Sequence, residues 1–149
     1  MKNDFIYLVL ALITGALIPV QAATNTVFSK SIGNPYITGL MVFIVGLIGM
    51  IVFILLSRTP LPARQQLVSA PMYGYLGGII VATYVVMITI LTPRIGVGPA
   101  IALIVTGQII CAVTIDHFGF FNVAVRQVSI ARIAGVLMMI GGIYLVMKK

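Results

Sequence analysis

Few side chains in this sequence could do chemistry, and three of them fall in one apolar stretch, residues 96–121. Gln108 stands near the middle of that stretch, and Asp116 and His117 stand near its end. Asp4 is the only other acidic residue among 149 positions, so chemistry that requires a carboxylate has few places to occur. Because polar groups in hydrocarbon cost free energy, these residues mark a candidate site for a solute, a proton or a cation.

Asp116 has two interpretations. It can lie in the headgroup region as the partner of Arg126 or Arg132, which a short return loop brings to the same side of the membrane. Alternatively, it is a carboxylate that handles a proton or a cation reaching it from that side. His117 is expected at the exposed interface, as a bystander or as a proton relay.

A second polar group lies in the first apolar run. Thr14, Gln21 and Asn25 fall at helical steps and therefore share one face of a helix. Pro19 has no amide hydrogen, so the carbonyl of Gly15 loses its helical partner and a kink is predicted there. The polar stripe either bonds neighbouring helices or lines the path of a solute, and one residue can do both.

Tyr84 lies well inside the third apolar run, where its hydroxyl needs a hydrogen-bond partner or a water-filled chamber. It can pack between helices with one hydrogen bond, or its ring can face a solute. The predicted substrate-binding residues are therefore Gln21, Asn25, Gln108, Tyr84 and Thr14.

The elements that must position these residues are membrane-spanning helices. Hydrophobic residues make up 61% of the chain, charged residues 7%, and the mean hydropathy is +1.21, which excludes a soluble domain with a polar surface. Each of five apolar runs contains about 20 residues, the length that a helix needs to cross about 30 Å of hydrocarbon. We predict an all-α membrane protein with one transmembrane domain over residues 1–149 and helices at about 5–28, 36–56, 72–92, 97–116 and 128–147.

The net charge of +7 does not indicate a nucleic-acid partner, because the nine basic residues are scattered between apolar runs. They are expected to act as topology signals and as anchors to membrane lipid. The sequence contains no catalytic elbow, phosphate loop or cluster of metal ligands. We therefore expect neither an enzyme nor a cofactor or bound metal.

The basic residues also bear on orientation. Five spans place the termini on opposite sides, and the positive charges then divide five against four: Lys2, Arg58, Arg64, Arg126 and Arg132 against Lys30, Arg94, Lys148 and Lys149. So small a difference in positive charge predicts that the chain inserts in both orientations and that two oppositely inserted copies form an antiparallel pair. Such a pair would have the same symmetry as the inverted repeats of many transporters. The alternative is a single orientation with the N-terminus in the cytoplasm.

Three segments carry a family resemblance: ALIPVQAATN, NPYITGLMVFIVG, and GVGPAIALIVTGQ followed by IDHFGFF. Through them nearly the whole chain resembles the YdcZ-like five-helix branch of the drug/metabolite transporter superfamily. The resemblance implies a multi-pass protein of the bacterial inner membrane with a bundle like that of small multidrug exporters. It also implies transport, of solutes that range across the superfamily from cationic drugs and guanidinium-like compounds to metabolites.

One departure from that pattern concerns energy coupling. Small multidrug exporters couple protons through a glutamate in their first helix, and this chain contains no glutamate. Gln21 and Asn25 cannot titrate, so proton antiport would require Asp116, another energy source or passive exchange. A site without a buried anion also attracts a cation less, which makes a neutral or zwitterionic solute equally credible.

The favoured hypothesis is a secondary transporter in which two copies, or this chain and a homologous chain, face each other across a midplane cavity. Two alternatives belong to other classes: a non-transporting subunit that binds a partner membrane protein, and a small channel.

Overall fold

The computed structural model describes the backbone of residues 2–148 and the side chains of residues 5–148. All regular structure in that part of the chain is helical: α1 (Lys2–Ile32), α2 (Pro35–Ser57), α3 (Arg64–Val68), α4 (Leu76–Ile95), α5 (Val97–Phe118) and α6 (Ile130–Met147), with single 3-10 turns at Met72–Tyr75 and Phe120–Asn122. Five segments are long and apolar enough to cross a membrane: Phe5–Ile32, Pro35–Ser57, Met72–Ile95, Val97–Phe118 and Ile130–Met147. The predicted all-α class with five spans is thus confirmed.

Local side-chain signals begin α2 and α6. The Asn34 side chain caps α2, because its Oδ1 accepts from the amides of Tyr36 (2.9 Å) and Ile37 (3.2 Å). Gly33 adopts a positive φ of 77° between α1 and α2, a conformation that glycine enters without steric cost. Ser129 caps α6 by accepting from the amide of Arg132 at 3.3 Å. Two spans therefore begin at polar residues that leave few helical amides unpaired.

Helix α4 runs past the predicted end of the third span. The sequence suggests a connector from Pro93 onward, whereas the structure continues the helix through Pro93 to Ile95. A proline removes one helical hydrogen bond but leaves the next residues free to keep helical geometry, and membrane helices tolerate such a loss. The link between α4 and α5 is therefore reduced to Gly96, whose φ is +92°.

The chain divides into two compact units. One contains the described residues up to Pro19 and those from Ile95 onward, and the other is Val20–Arg94. In the first unit α5 packs along α6. In the second, α2 and α4 approach closely at Gly39, where an added Cβ would lie 3.2 Å from Cγ2 of Val86.

The interior of the Val20–Arg94 unit is unusually polar. Half of its buried residues are polar, and the full set is Ala22, Asn25, Thr38, Gly39, Val85, Ile88, Thr89 and Thr92. Within residues 5–148, every fully buried polar side chain belongs to this unit. The large apolar side chains of the spans are mostly exposed, as expected for surfaces that meet lipid or another copy.

The C-terminal end of α5 depends on a glycine. Gly119 has φ +65°, and an added Cβ would lie 2.7 Å from Cγ2 of Val125. Gly119→Ala should therefore lower stability by about 1–2 kcal/mol from backbone strain alone, with the clash adding to that loss. The measurement is thermal unfolding of detergent-purified protein. Gly107→Ala is the matched control in α5, because no atom lies within 4 Å of its added Cβ. Equal losses in the two variants would contradict the prediction.

Candidate functional site

The buried threonines of the Val20–Arg94 unit are satisfied within their own helices. Each hydroxyl donates to the carbonyl oxygen four residues earlier: Thr38 to Asn34 (3.0 Å), Thr89 to Val85 (2.7 Å) and Thr92 to Ile88 (2.6 Å). A hydroxyl that donates in this way can still accept a hydrogen bond. The threonines therefore add weak polarity to the interior without an unpaired donor.

Asn25 and Tyr84 differ, because each has a buried polar atom without a partner. Asn25 is 5% exposed, and neither its Nδ2 nor the Tyr84 hydroxyl oxygen makes a hydrogen bond within the part of the chain that the structure describes. An unpaired buried donor costs about 1–3 kcal/mol, so proteins rarely retain one without a reason. A bound solute is the expected partner of both groups.

A groove of about 400 Å³ adjoins Asn25 between α1 and α2. Its lining residues are Thr24, Asn25, Phe28, Met41, Val42 and Val45. The Thr24 hydroxyl lies 3.0 Å from the carbonyl oxygens of Val20 and Gln21, so it is already engaged. Asn25 thus supplies the unused hydrogen-bonding capacity of an otherwise apolar wall, a composition typical of small-molecule sites.

All charged residues of the Val20–Arg94 unit are basic. Residues 20–94 contain no aspartate or glutamate, and their charged residues are Lys30, Arg58, Arg64 and Arg94. Gln21 lies one helical turn before Asn25, half-buried, and its side chain forms no hydrogen bond to the described residues. A polar molecule in this unit would meet amide and hydroxyl groups and no carboxylate.

Asp116 lies in the other unit and forms an ion pair. Its Oδ2 is 3.4 Å from a terminal guanidinium nitrogen of Arg132, and the two side chains are 38% and 32% exposed. Arg126 meets the same residue through the backbone, its amide donating to the Asp116 carbonyl at 2.8 Å. Nδ1 of His117 accepts from the amide of Val128 at 3.3 Å. These contacts fold the loop between α5 and α6 back onto the end of α5.

The remaining predicted site residues are less enclosed. The hydroxyl of Thr14 is engaged, since it donates to the Leu10 carbonyl at 2.8 Å, and Thr14 is exposed. Gln108 is also exposed on α5, with no hydrogen bond from its side chain to the described residues. Thr14 and Gln108 belong to the unit that contains α5 and α6, whereas Gln21, Asn25 and Tyr84 belong to the other unit.

Helix α1 is continuous through the predicted kink. Pro19 lies inside the helix, and the boundary between the two compact units falls directly after it. The carbonyl of Gly15 has no proline amide to accept from, so this turn of α1 is held by fewer hydrogen bonds.

The buried threonines are not among the residues that the sequence predicts for the site. The spacing in the sequence could have indicated two of them. Thr89 and Thr92 stand three residues apart, so they share a helix face directly before Pro93. Thr38 follows the Asn-Pro cap of α2 without any comparable signal.

Comparison with known proteins places this arrangement in a family. The model of the family DMT_YdcZ, described as "Putative inner membrane exporter, YdcZ", matches residues 6–145. No curated protein and no solved structure was found to match the chain. The match includes three spans completely and nearly all of the first and last spans, and it agrees with a multi-pass protein of the inner membrane.

Proposed function

Because the chain belongs to the YdcZ family of inner-membrane exporters, we propose that it is a secondary transporter of a small solute. The observation that carries this proposal is the pair of unpartnered buried groups, Nδ2 of Asn25 and the hydroxyl of Tyr84. Such groups are costly in a protein at rest, and a passing solute can pair with them for part of a transport cycle.

The chemistry of the two groups favours a class of solute. An amide nitrogen donates hydrogen bonds and a phenol can donate, so their complement is a carbonyl, carboxylate or hydroxyl oxygen. With no acidic residue between positions 20 and 94, a bare cation would find no counter-charge there. We therefore favour a neutral, zwitterionic or carboxylate-bearing solute over a cationic drug. Gln21 would extend the same set of hydrogen-bonding groups.

Two oppositely inserted copies would supply alternating access. In this proposal the chain forms an antiparallel homodimer, or a heterodimer with a homologous chain, built like a small multidrug exporter. Inverted copies provide the two-fold symmetry in the membrane plane by which many transporters exchange inward-facing and outward-facing states. Gln108, exposed and unbonded on α5, would then meet the partner copy or the solute.

Proteoliposome flux tests the proposal. The probes are proline, malate and urea as acceptor-bearing solutes, and guanidinium and ethidium as cations. Saturable flux of at least one acceptor-bearing probe would support the proposal. Flux that rises linearly with concentration would indicate a channel, and no flux together with one specific co-purifying membrane protein would indicate a non-transporting subunit.

Gln108→Ala tests the role of Gln108 in that flux. Loss of one solute hydrogen bond should lower the flux of the transported probe about tenfold, while the protein stays folded in detergent. The measurements are initial flux and the size-exclusion profile of the purified protein. Gln65→Ala is the matched control, because Gln65 is exposed on the short helix α3. Unchanged flux in Gln108→Ala would remove this residue from the solute path.

A further inference from the structure

The Asp116–Arg132 ion pair closes one end of a second groove, distinct from the one beside Asn25. This groove has a volume of about 460 Å³ and lies between α5 and α6. Its other lining residues are Ile109, Ala112, Val113, Gly135, Val136 and Met139. The groove is thus apolar along its length and carries one positive and one negative group at a single end.

The length of the groove suits the upper part of one lipid acyl chain. Ile109 precedes Asp116 by seven residues, and Met139 follows Arg132 by seven, so both walls extend about 10 Å at 1.5 Å per residue. Asp116 stands in the last turn of α5 and Arg132 in the first turn of α6, at the ends of their spans. The ion pair is therefore expected at headgroup level, with the apolar walls extending toward the hydrocarbon.

The ion pair itself has unused capacity. Its one contact is 3.4 Å long, which is beyond the 2.7–2.9 Å or so of a strong charged hydrogen bond. No other hydrogen bond from these two side chains to the described residues occurs, so Oδ1 of Asp116 and most guanidinium N–H groups are free. Both side chains are about one-third exposed and reachable from the groove.

We propose that this groove binds a phospholipid with an ethanolamine headgroup. The primary ammonium would donate to Asp116, the phosphate would accept from Arg132, and one acyl chain would lie along the apolar walls. A choline headgroup carries the same charges but has no N–H to donate, and a glycerol headgroup has no cation for Asp116. Charge complementarity thus excludes the glycerol lipid, and the N–H donors of the ammonium group select the ethanolamine lipid over the choline lipid.

Native mass spectrometry of the full chain tests the proposal. Protein in detergent is mixed with equal amounts of phosphatidylethanolamine, phosphatidylcholine and phosphatidylglycerol that have identical acyl chains and distinct isotope labels. The expected preference for ethanolamine over choline lipid is about tenfold, the factor contributed by one charge-assisted hydrogen bond. Equal retention of the two lipids would overturn the proposal.

Two variants assign the preference to the ion pair. Asp116→Asn keeps the shape of the side chain but removes its charge, so the ethanolamine-to-choline ratio should fall to near one. Arg132→Gln removes the phosphate donor, so binding of both lipids should fall together. Thermal unfolding of each variant checks that it folds, and little loss is expected because the pair is partly exposed.

Arg58→Gln is the control. Arg58 lines a groove of similar volume, about 450 Å³, which has no acidic residue. Its loss should leave the ethanolamine-to-choline ratio unchanged, and a fall equal to that of Asp116→Asn would overturn the proposal. A lipid-free dimer that dissociates in Asp116→Asn would also overturn it, because the groove would then be filled by a second copy of the chain.

Discussion

Asn25→Leu is expected to make the protein more stable and to abolish its solute flux. The Asn25 amide nitrogen is buried and unpaired, so the resting protein carries its desolvation cost of about 1–3 kcal/mol. Leucine has the same branching and no polar atom, and the groove beside Asn25 offers space for its larger methyl groups, so it should recover much of that free energy. The same change removes the donor proposed to bind the solute. Thermal unfolding in detergent and flux in proteoliposomes should therefore move in opposite directions.

Two further variants make the result specific. Tyr84→Phe removes the other unpaired group and should also raise stability while lowering flux. Thr38→Val is the control, because Thr38 is equally buried but its hydroxyl already donates to the Asn34 carbonyl. It should show no comparable gain in stability, and it should retain flux. A loss of stability in Asn25→Leu would instead mean that Asn25 bonds a neighbouring helix or a partner copy, which is the competing interpretation of the polar stripe in α1.

The spans could be predicted from sequence because their signal is local. A run of about 20 apolar residues has few alternatives to a membrane helix, since every backbone group must be paired inside hydrocarbon. The exact ends are harder to predict. Asn34 and Ser129 are recognisable caps, whereas the continuation of α4 through Pro93 depends on whether one lost hydrogen bond is tolerated.

Burial could not be predicted in the same way. Thr14 and Asn25 share a face of α1 by helical geometry, yet Thr14 is exposed and Asn25 is buried. Exposure depends on what packs at each level of the helix, and the periodicity of one helix does not contain that information. For the same reason Gln108, the most conspicuous polar residue of the sequence, lies exposed on α5.

The contacts of Asp116 could be predicted from the sequence only in part. A loop of about ten residues between two antiparallel spans brings basic residues near Asp116, so an ion pair was among the sequence-based interpretations. The sequence alone does not distinguish Arg126 from Arg132 as the partner of Asp116. Arg126 contacts Asp116 through its backbone amide, and Arg132 through its side chain, because Ser129 caps α6 and begins the helix that carries Arg132.

Under the proposed dual topology, changing a few basic residues should give two variants that each insert in one orientation and transport little on their own. Lys148→Gln with Lys149→Gln leaves two basic residues on the C-terminal side against five on the other, which should hold the N-terminal side in the cytoplasm. The triple change Arg58→Gln, Arg64→Gln and Arg126→Gln leaves two on the N-terminal side against four and should invert the chain. A reporter fused to the C-terminus should find the unaltered chain in both orientations and each variant in one.

Transport then tests whether the two orientations must pair. An antiparallel dimer cannot form from chains that all insert one way, so each variant alone should lose at least about nine-tenths of the flux, while co-expression of the two should restore it. Lys30→Gln alone is the control. It leaves five basic residues on the N-terminal side against three on the other, which is only a modest bias, so this variant should retain most of the flux. Full flux from either oriented variant alone would rule out the antiparallel pair. The solute path would then have to lie within one chain or a parallel assembly, and Asn25, Gln21 and Tyr84 would be its candidates without any contribution from inverted symmetry.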